Sequence, residues 1–237
     1  PLFIIVTRRP KKVFAAVGVI ALFMIASSFT IDLNNYLLED LKKGEKLRKD
    51  FTFFDEYFSG VRPFELRIKW KSDISPSDPE YFLTLKKIHD YLDTAYGAGA
   101  LSSPLSVLKE INRSRHGGKN EYYRLPKDEK KIGRLMKDYR RLLKTGNLSR
   151  LSSEDGKYIR VLGRVGDLGA RHFNAENQEF KAFLKQEGIT AYADITITGT
   201  GTLIDRTNQT LVSSLSKGLG AAFLLIAILM GIMFRSI

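Results

Sequence analysis

The sequence predicts an α+β domain carried between two transmembrane helices. Two stretches, 13–31 and 218–234, contain no charged residue, and each approaches the roughly 20 apolar residues that a helix needs to cross a bilayer. Between them, some segments alternate apolar and polar residues with the period of a strand, and others repeat with the period of a helix. Together these patterns predict a mixed domain on the outer side of a membrane.

Composition excludes several other classes of protein. The 237 residues are 43% hydrophobic and 27% charged, which is typical of an ordered chain and not of a disordered one. The net charge of +12 does not indicate a nucleic-acid partner, because much of the excess flanks the apolar runs, where it sets membrane topology. The basic residues at these flanks are Arg8, Arg9, Lys11, Lys12, Lys217 and Arg235.

The positions of these charges predict how the chain crosses the membrane. Basic flanks stay in the cytoplasm, so both ends lie inside and the long polar region lies outside. A signal peptide is the alternative for the first run, but apolar residues precede its basic flank and no clear small-x-small cleavage site follows. We expect a multi-pass protein of the cell (inner) membrane. Its expected parts are a cytoplasmic or interfacial lead at 1–12, a membrane helix at 13–31, an extracytoplasmic domain at 32–214, a second membrane helix at 215–234 and a cytoplasmic end at 235–237. An end so close to a membrane helix indicates a piece of a longer protein.

Alternating residues predict the strands of the outer domain. Phe64, Leu66, Ile68 and Trp70 alternate with polar residues, which is typical of a half-buried strand. The same period recurs at 158–165 and 189–198, and a short extended piece is expected near 100–102. The predicted helices are 35–59, which Gly60 would stop, then 80–96, 104–115, 128–143, 170–186 and 202–216, the last running into the second membrane segment.

The order of these elements predicts the fold. Without the helices at 104–115 and 128–143, the chain has the order βαβ followed by βαβ. This is the order of the ferredoxin-like split-βαβ arrangement, which packs helices on one face of an antiparallel sheet. The expected fold class is therefore α+β, with a ferredoxin-like domain that carries inserted helices between two transmembrane helices.

An ordered set of short segments resembles the resistance–nodulation–division (RND) superfamily, and within it the hydrophobe/amphiphile exporters related to the MMPL and Patched groups. The resemblance covers essentially the whole chain. The segments are Arg8-Arg-Pro-Lys-Lys12, Asp32-Leu-Asn34, Gly60 before the first strand, Ser103-Pro-Leu-Ser-Val-Leu-Lys-Glu110, Tyr123-Arg-Leu-Pro126, Ile197-Thr-Gly-Thr200 and Met233-Phe-Arg-Ser236.

This resemblance implies a membrane transporter of two similar halves, each with a porter domain between membrane helices. It implies export of hydrophobic or amphiphilic, lipid-like substrates. The absence of acidic residues at 213–220 is more similar to the second half than to the first. The proton-relay residues of the superfamily would lie beyond Ile237, so none is assigned in this chain.

The sequence contains no pattern typical of a catalytic, cofactor or metal site, and we do not expect an enzyme. His89, His116 and His172 are isolated, and the chain has no cysteine. Gly199-Thr-Gly-Thr-Leu-Ile204 begins like a dinucleotide-binding loop but lacks the third glycine, so it predicts only a turn between a strand and a helix.

One aromatic run exceeds ordinary composition and supplies the candidate site. Phe51, Phe54 and Phe58 would share one face of a helix, and Phe53 and Tyr57 another. One domain can bury only one of these faces, so packing inside the domain and an exposed surface both remain open. The expected partners of an exposed face are the other half of the same transporter, membrane lipid or a hydrophobic substrate.

A sensor is the alternative function. Two membrane helices around an outer domain are also the plan of a chemoreceptor or a sensor kinase, whose outer domain binds a ligand. Closely spaced apolar helices after Ile237 would favour the transporter, whereas amphipathic heptads and a signalling domain would favour the sensor.

Overall fold

The computed structural model describes residues 41–71 and 74–233, together with the single residues 15, 18, 19, 23, 34, 36, 38 and 39. The chain divides into two units, Pro1–Asn34 and Asn35–Ile237. Within the first unit, the four described residues of the predicted membrane helix at 13–31 are helical. The rest of that prediction, the lead at 1–12 and the end at 235–237 lie outside the described residues.

The second unit is a mixed α+β domain that continues into a long helix, as the sequence predicts. A four-stranded sheet and six α-helices make up its described part. In chain order they are α1 (Lys46–Tyr57), β1 (Arg62–Trp70), α2 (Pro79–Thr94), β2 (Gly99–Ser102), α3 (Pro104–Arg115), α4 (Glu129–Lys144), β3 (Tyr158–Val165), α5 (Gly169–Gln186), β4 (Ala193–Thr198) and α6 (Thr200–Met233).

The strands lie in the order β2-β3-β1-β4, and every neighbouring pair is antiparallel. Since β1 and β2 are both antiparallel to β3, they are parallel to each other with β3 between them. In the same way, β3 and β4 are parallel with β1 between them. Each βαβ unit therefore encloses a strand of the other, and β2 and β4 form the two edges.

The alternation along β1 buries one of its faces. Leu66 and Ile68 are fully buried, whereas Arg67 and Lys69 between them are exposed. The buried face belongs to one hydrophobic core that includes residues of α2 and α5. The strand predictions at 64–70 and 158–165 are thus confirmed, and β1 begins two residues earlier than predicted.

The two helices α3 and α4 are inserted between β2 and β3, as predicted. Ser103 caps α3, because its hydroxyl accepts a hydrogen bond from the amide of Leu105 at 3.1 Å. Asp128 caps α4 in the same way through the amide of Lys130 at 2.9 Å. The predicted apolar stripe of α4 is buried at Ile132, Leu135, Met136, Tyr139 and Leu143.

Two predicted elements are shorter in the structure. Among the described residues of the helix expected at 35–59, only Lys46 to Tyr57 are helical, and the turn before them contains Gly44 at a φ of +91°. The strand expected at 189–198 begins only at Ala193, because Ile189–Ala191 form a 3₁₀ turn after α5. Ile189 is buried in that turn, so its apolar character arises from core packing and not from a strand face.

A single helix, α6, leads from the sheet through the second predicted membrane segment. Among the described residues it is the one helix long and apolar enough to cross a membrane, over Thr200–Leu229. At 1.5 Å per residue this stretch spans about 45 Å, which exceeds the roughly 30 Å thickness of the hydrocarbon layer. The predicted turn at Gly199 is confirmed, since this residue lies at a φ of +95° between β4 and α6.

Candidate functional site

Four of the five predicted site residues lie together at the exposed C-terminal end of α1, three within the helix and Phe58 directly after it. Phe53, Phe54, Tyr57 and Phe58, here called the aromatic surface, are each between 45% and 70% exposed. Their rings contact one another, with centroids 5.0 Å apart for Phe53 and Tyr57 and 5.3 Å apart for Phe54 and Phe58. The fifth, Phe51, is half-buried. Neither predicted face of α1 is buried within the domain, since α1 contains no buried residue.

The aromatic surface is held in place by one aspartate of the same helix. Asp55 Oδ1 accepts hydrogen bonds from the amides of Val61 at 3.0 Å and Asp167 at 3.1 Å. Asp167 in turn accepts a hydrogen bond from the amide of Leu38 at 2.8 Å. These bonds fix the end of α1 against the start of β1 and the turn after β3, so the rings project from an anchored helix.

A cleft between α5, β4 and α6 is the second candidate site, and it has a volume of about 320 Å³. Its floor is formed by core side chains of the sheet and α5. Ile195 and Ile197 on the edge strand β4 are only half-buried, although they belong to the core side of the sheet. The cleft therefore offers apolar surface that the domain itself does not cover.

A buried ion pair lies at the α6 end of this cleft. Arg62 Nη2 donates to Asp205 Oδ2, and the two side chains are 7% and 14% exposed. The same nitrogen donates to the carbonyl of Gly201 at 3.3 Å. The guanidinium also lies 4.7 Å from the ring centroid of Phe173. Asp205 Oδ1 is buried and has no hydrogen-bond partner among the described residues.

Tyr96 links the cleft to the core. Its hydroxyl donates to Asn177 Oδ1 at 2.7 Å. Burial, and then the nearby carboxylate of Glu176, raises the pKa of Tyr96 well above its usual range. The hydroxyl therefore stays protonated and serves as a donor that fixes the amide of Asn177 at the edge of the cleft.

The three histidines serve separate local contacts. His89 is 5% exposed, and its Nε2 lies 2.6 Å from Ser103 Oγ. Because that oxygen already accepts from Leu105, its own proton is free to be donated to Nε2. Burial, and next the charge of Lys109, lowers the pKa of His89 to about 4. His116 stacks on Tyr122 with a centroid separation of 3.9 Å, and His172 lies 3.7 Å from Glu176.

The acidic and histidine side chains do not converge in the part of the chain that the structure describes. No group of three or more His, Cys, Asp or Glu residues there could hold a metal ion. The aromatic surface is instead apolar, whereas the cleft exposes polar and apolar atoms to a similar extent.

Sequence reasoning missed the cleft and its ion pair. The cleft lies between the consecutive elements α5, β4 and α6, but Arg62 and Phe64 of β1 and Tyr96, which are distant in sequence, also line it. No local sequence pattern indicates how these parts pack together. The sequence does contain one indication of the ion pair. In the alternating pattern of β1, Arg62 lies on the same face as Phe64 and Leu66, and that face is buried. An arginine at a buried position requires a partner, and Asp205 is that partner.

No family model and no curated protein matches the chain.

Proposed function

We propose that the chain supplies an extracytoplasmic porter domain of an RND-superfamily transporter, related to the MMPL and Patched groups, that exports hydrophobic or amphiphilic molecules. The strand order carries this proposal. In a ferredoxin-like split-βαβ sheet, two βαβ units are interleaved, and this is how β1-α2-β2 and β3-α5-β4 are arranged. The same fold is what the ordered sequence segments imply.

Two further features support a role in moving apolar cargo. The cleft and the aromatic surface both leave apolar side chains accessible on the domain. The helix α6 joins the sheet directly to the apolar span, and the ion pair between Arg62 and Asp205 ties its second turn to β1. A displacement of the sheet would thus be transmitted to a helix in the membrane.

In this proposal the protein is a multi-pass protein of the inner membrane, with both flanks of the domain crossing it. The chain corresponds to the second half of the transporter. The aromatic surface contacts either the other half or lipid, and the residues that couple export to a proton gradient lie outside this chain.

The reading frame past Ile237 gives the first test. Closely spaced apolar helices there are expected, and cells that express the complete frame should export a fluorescent apolar dye such as Nile red faster than cells without it. A continuation into amphipathic heptads and a signalling domain would overturn the proposal.

Membrane topology gives an independent test. The chain contains no cysteine, so single cysteines can replace Lys42, Lys119 and Asn147, which are all exposed. An impermeant thiol reagent added to intact cells should label all three. Protection of all three, with labelling only after lysis, would contradict an extracytoplasmic domain.

A ligand sensor remains the second candidate because of the cleft. A cleft of about 320 Å³ lies in the size range of small-molecule sites, and it adjoins a helix that continues into the apolar span. The reading frame past Ile237 separates this candidate from the transporter.

A further inference from the structure

The inserted helices α3 and α4, with the turns that follow them, hold most of the positive charge of the domain. Residues 104–150 contain 14 Lys and Arg against 5 Asp and Glu, a net charge of +9. The chain carries +12, and six of its basic residues flank the apolar runs, so the remainder of the domain is slightly acidic. A field of one sign that is confined to one pair of helices attracts an anionic partner.

Five of these cations form one line along α4, here called the cationic stripe. They are Lys130, Arg134, Lys137, Arg141 and Lys144. All five are exposed, and their spacing of i, i+4, i+7, i+11 and i+14 places them opposite the buried face of the helix. At 1.5 Å per residue the stripe is about 21 Å long. Within the stripe, only Arg141 has an ion pair among the described residues, with Asp138 at 3.8 Å, so the other four charges are open to an external anion.

An apolar groove between α3 and α4 lies beside the stripe, and Arg141 lines it too. The groove has a volume of about 790 Å³ and exposes mainly apolar atoms. Its apolar walls are Val107, Ile111, Tyr123 and Leu142. The carboxylate of Glu110 in the groove already pairs with Arg113 at 2.8 Å. That of Asp138 pairs with Arg115, which also joins the two helices. The charge left unpaired at this surface is therefore positive.

The position of α4 disfavours a lipid surface as the anionic partner. Arg140 Nη1 donates to Ser77 Oγ at 3.0 Å, so α4 contacts the turn before α2. At the start of α2, Tyr81 donates to the carbonyl of Gly156 at 3.2 Å, close to the start of β3, which pairs with the end of β1. The apolar helix α6 instead contacts Arg62 at the start of β1, about 26 Å away at about 3.3 Å per residue. The cationic stripe thus lies towards the end of the sheet that is remote from α6.

Two other occupants fit less well than a protein helix. A second copy bound through the same face would bring one stripe against an identical one. A polyanion without apolar groups would leave the groove uncovered. An amphipathic helix satisfies both features, because its apolar face fills a groove and acidic residues along its side reach the stripe.

We propose that the groove between α3 and α4, together with the cationic stripe, docks an acidic amphipathic α-helix of a partner protein. The apolar face of that helix packs on Val107, Ile111 and Leu142, and its carboxylates pair with the stripe. The surface is the same whether the chain serves a transporter or a sensor, so docking does not rest on either function.

The test is fluorescence anisotropy of a labelled peptide with the whole chain in phosphatidylcholine nanodiscs. The probe is a peptide of 16 residues, the length of α4, held helical by a covalent staple, with leucine along one face and glutamate along its sides. Its binding should saturate. Arg134→Gln combined with Lys137→Gln and Lys144→Gln should raise the Kd by about tenfold, at roughly twofold for each exposed charge.

The matched control removes the same charge elsewhere. Lys46→Gln combined with Lys181→Gln and Lys185→Gln, at exposed positions of α1 and α5, should leave the Kd within about twofold of the wild type. Tyr123→Ala tests the groove, since Tyr123 is 43% exposed and its loss does not open the core. This variant should raise the Kd by about fivefold.

Three outcomes would overturn the inference. Equal binding of a scrambled probe, whose leucines no longer share a face, would show that the surface attracts any anion. An unchanged Kd in the triple variant of the stripe would show that the stripe makes no contact with the helix. Capture of phosphatidylglycerol vesicles by the wild-type chain but not by the triple variant, with no binding of the helical probe, would assign the stripe to a lipid surface.

Discussion

Arg62 and Asp205 form a buried ion pair that joins the first residue of β1 to the second turn of α6, 143 residues later in the chain. The pair lies where the apolar helix leaves the sheet. Since both side chains are removed from water, each charge depends on the other for its compensation. The contact therefore ties the start of α6 to β1.

Removing one member of this pair should destabilise the domain strongly. Asp205→Ala leaves the guanidinium buried without a counter-charge, so the free energy of unfolding should fall by about 3–5 kcal/mol. Arg62→Met combined with Asp205→Leu should recover most of that loss, because no buried charge remains. The measurement is chemical denaturation in detergent micelles, followed by the fluorescence of Trp70, the single tryptophan.

The matched control is the exposed ion pair of Lys71 and Asp194, whose side chains are 43% and 51% exposed. Asp194→Ala should change the free energy of unfolding by less than about 1 kcal/mol. Equal losses for Asp205→Ala and Asp194→Ala would show that burial does not strengthen the pair with Arg62.

The stability of the domain should decrease in mild acid because of His89. Its pKa of about 4 in the folded chain lies below the unfolded value of 6.5, so the unfolded state binds a proton first as the pH falls. The stabilising contribution of neutral His89 is complete above pH 6.5 and is lost as the pH falls towards 4. Between about pH 7.5 and about pH 5, this group alone should remove roughly 2 kcal/mol.

His89→Gln should eliminate that part of the pH dependence, measured by denaturation of both proteins at each pH. If His89→Gln and the wild type lost stability in parallel over this range, the buried imidazole would not be the group responsible.

The elements that the sequence predicted well are those in which local pattern and burial agree. The alternation at 64–70 and the stripe of α4 each place apolar residues on a single face, and that face is buried. The helix predicted at 35–59 is wrong for the described residues before Lys46, because Gly44 lies in a turn at a positive φ and helical spacing alone does not indicate that turn. Ile189 was assigned to a strand because apolar spacing does not distinguish a strand from a buried turn.

The candidate sites were predictable only in part. The number of aromatic residues between Phe51 and Phe58 is more than one buried helix face can hold, so the sequence indicates that some of these rings are exposed. Four of them are exposed together. The cleft could not be predicted, because it depends on how far α5 lies from the edge strand β4. That distance is set by the packing of the whole core and is not a property of either segment alone.

Gly60 should tolerate no side chain. It lies at a φ of +99° where α1 gives way to β1, and an added Cβ would come within 2.0 Å of the carbonyl oxygen of Val165. Gly188 has a similar φ of +68° but open space around it. Gly188→Ala should therefore cost about 1–2 kcal/mol, from the left-handed backbone alone. Gly60→Ala should cost clearly more, since the backbone of β3 must also move. Thermal unfolding of the two variants gives the comparison, and equal melting temperatures would contradict the close approach.

The aromatic surface should contact a partner in the complete protein. Full burial of a phenylalanine contributes about 1.5–3 kcal/mol, and four rings on α1 obtain only part of that within the domain. A photo-crosslinking residue in place of Tyr57 or Phe54, in the protein from the complete reading frame, should form adducts in high yield. Adducts with another part of the protein would identify an interface with the other half, and adducts with lipid would identify a path for apolar molecules. The same photo-crosslinking residue in place of Leu83, an exposed apolar position on α2, measures the background yield of adducts. Yields at Tyr57 and Phe54 no higher than at Leu83 would mean that the aromatic surface has no partner.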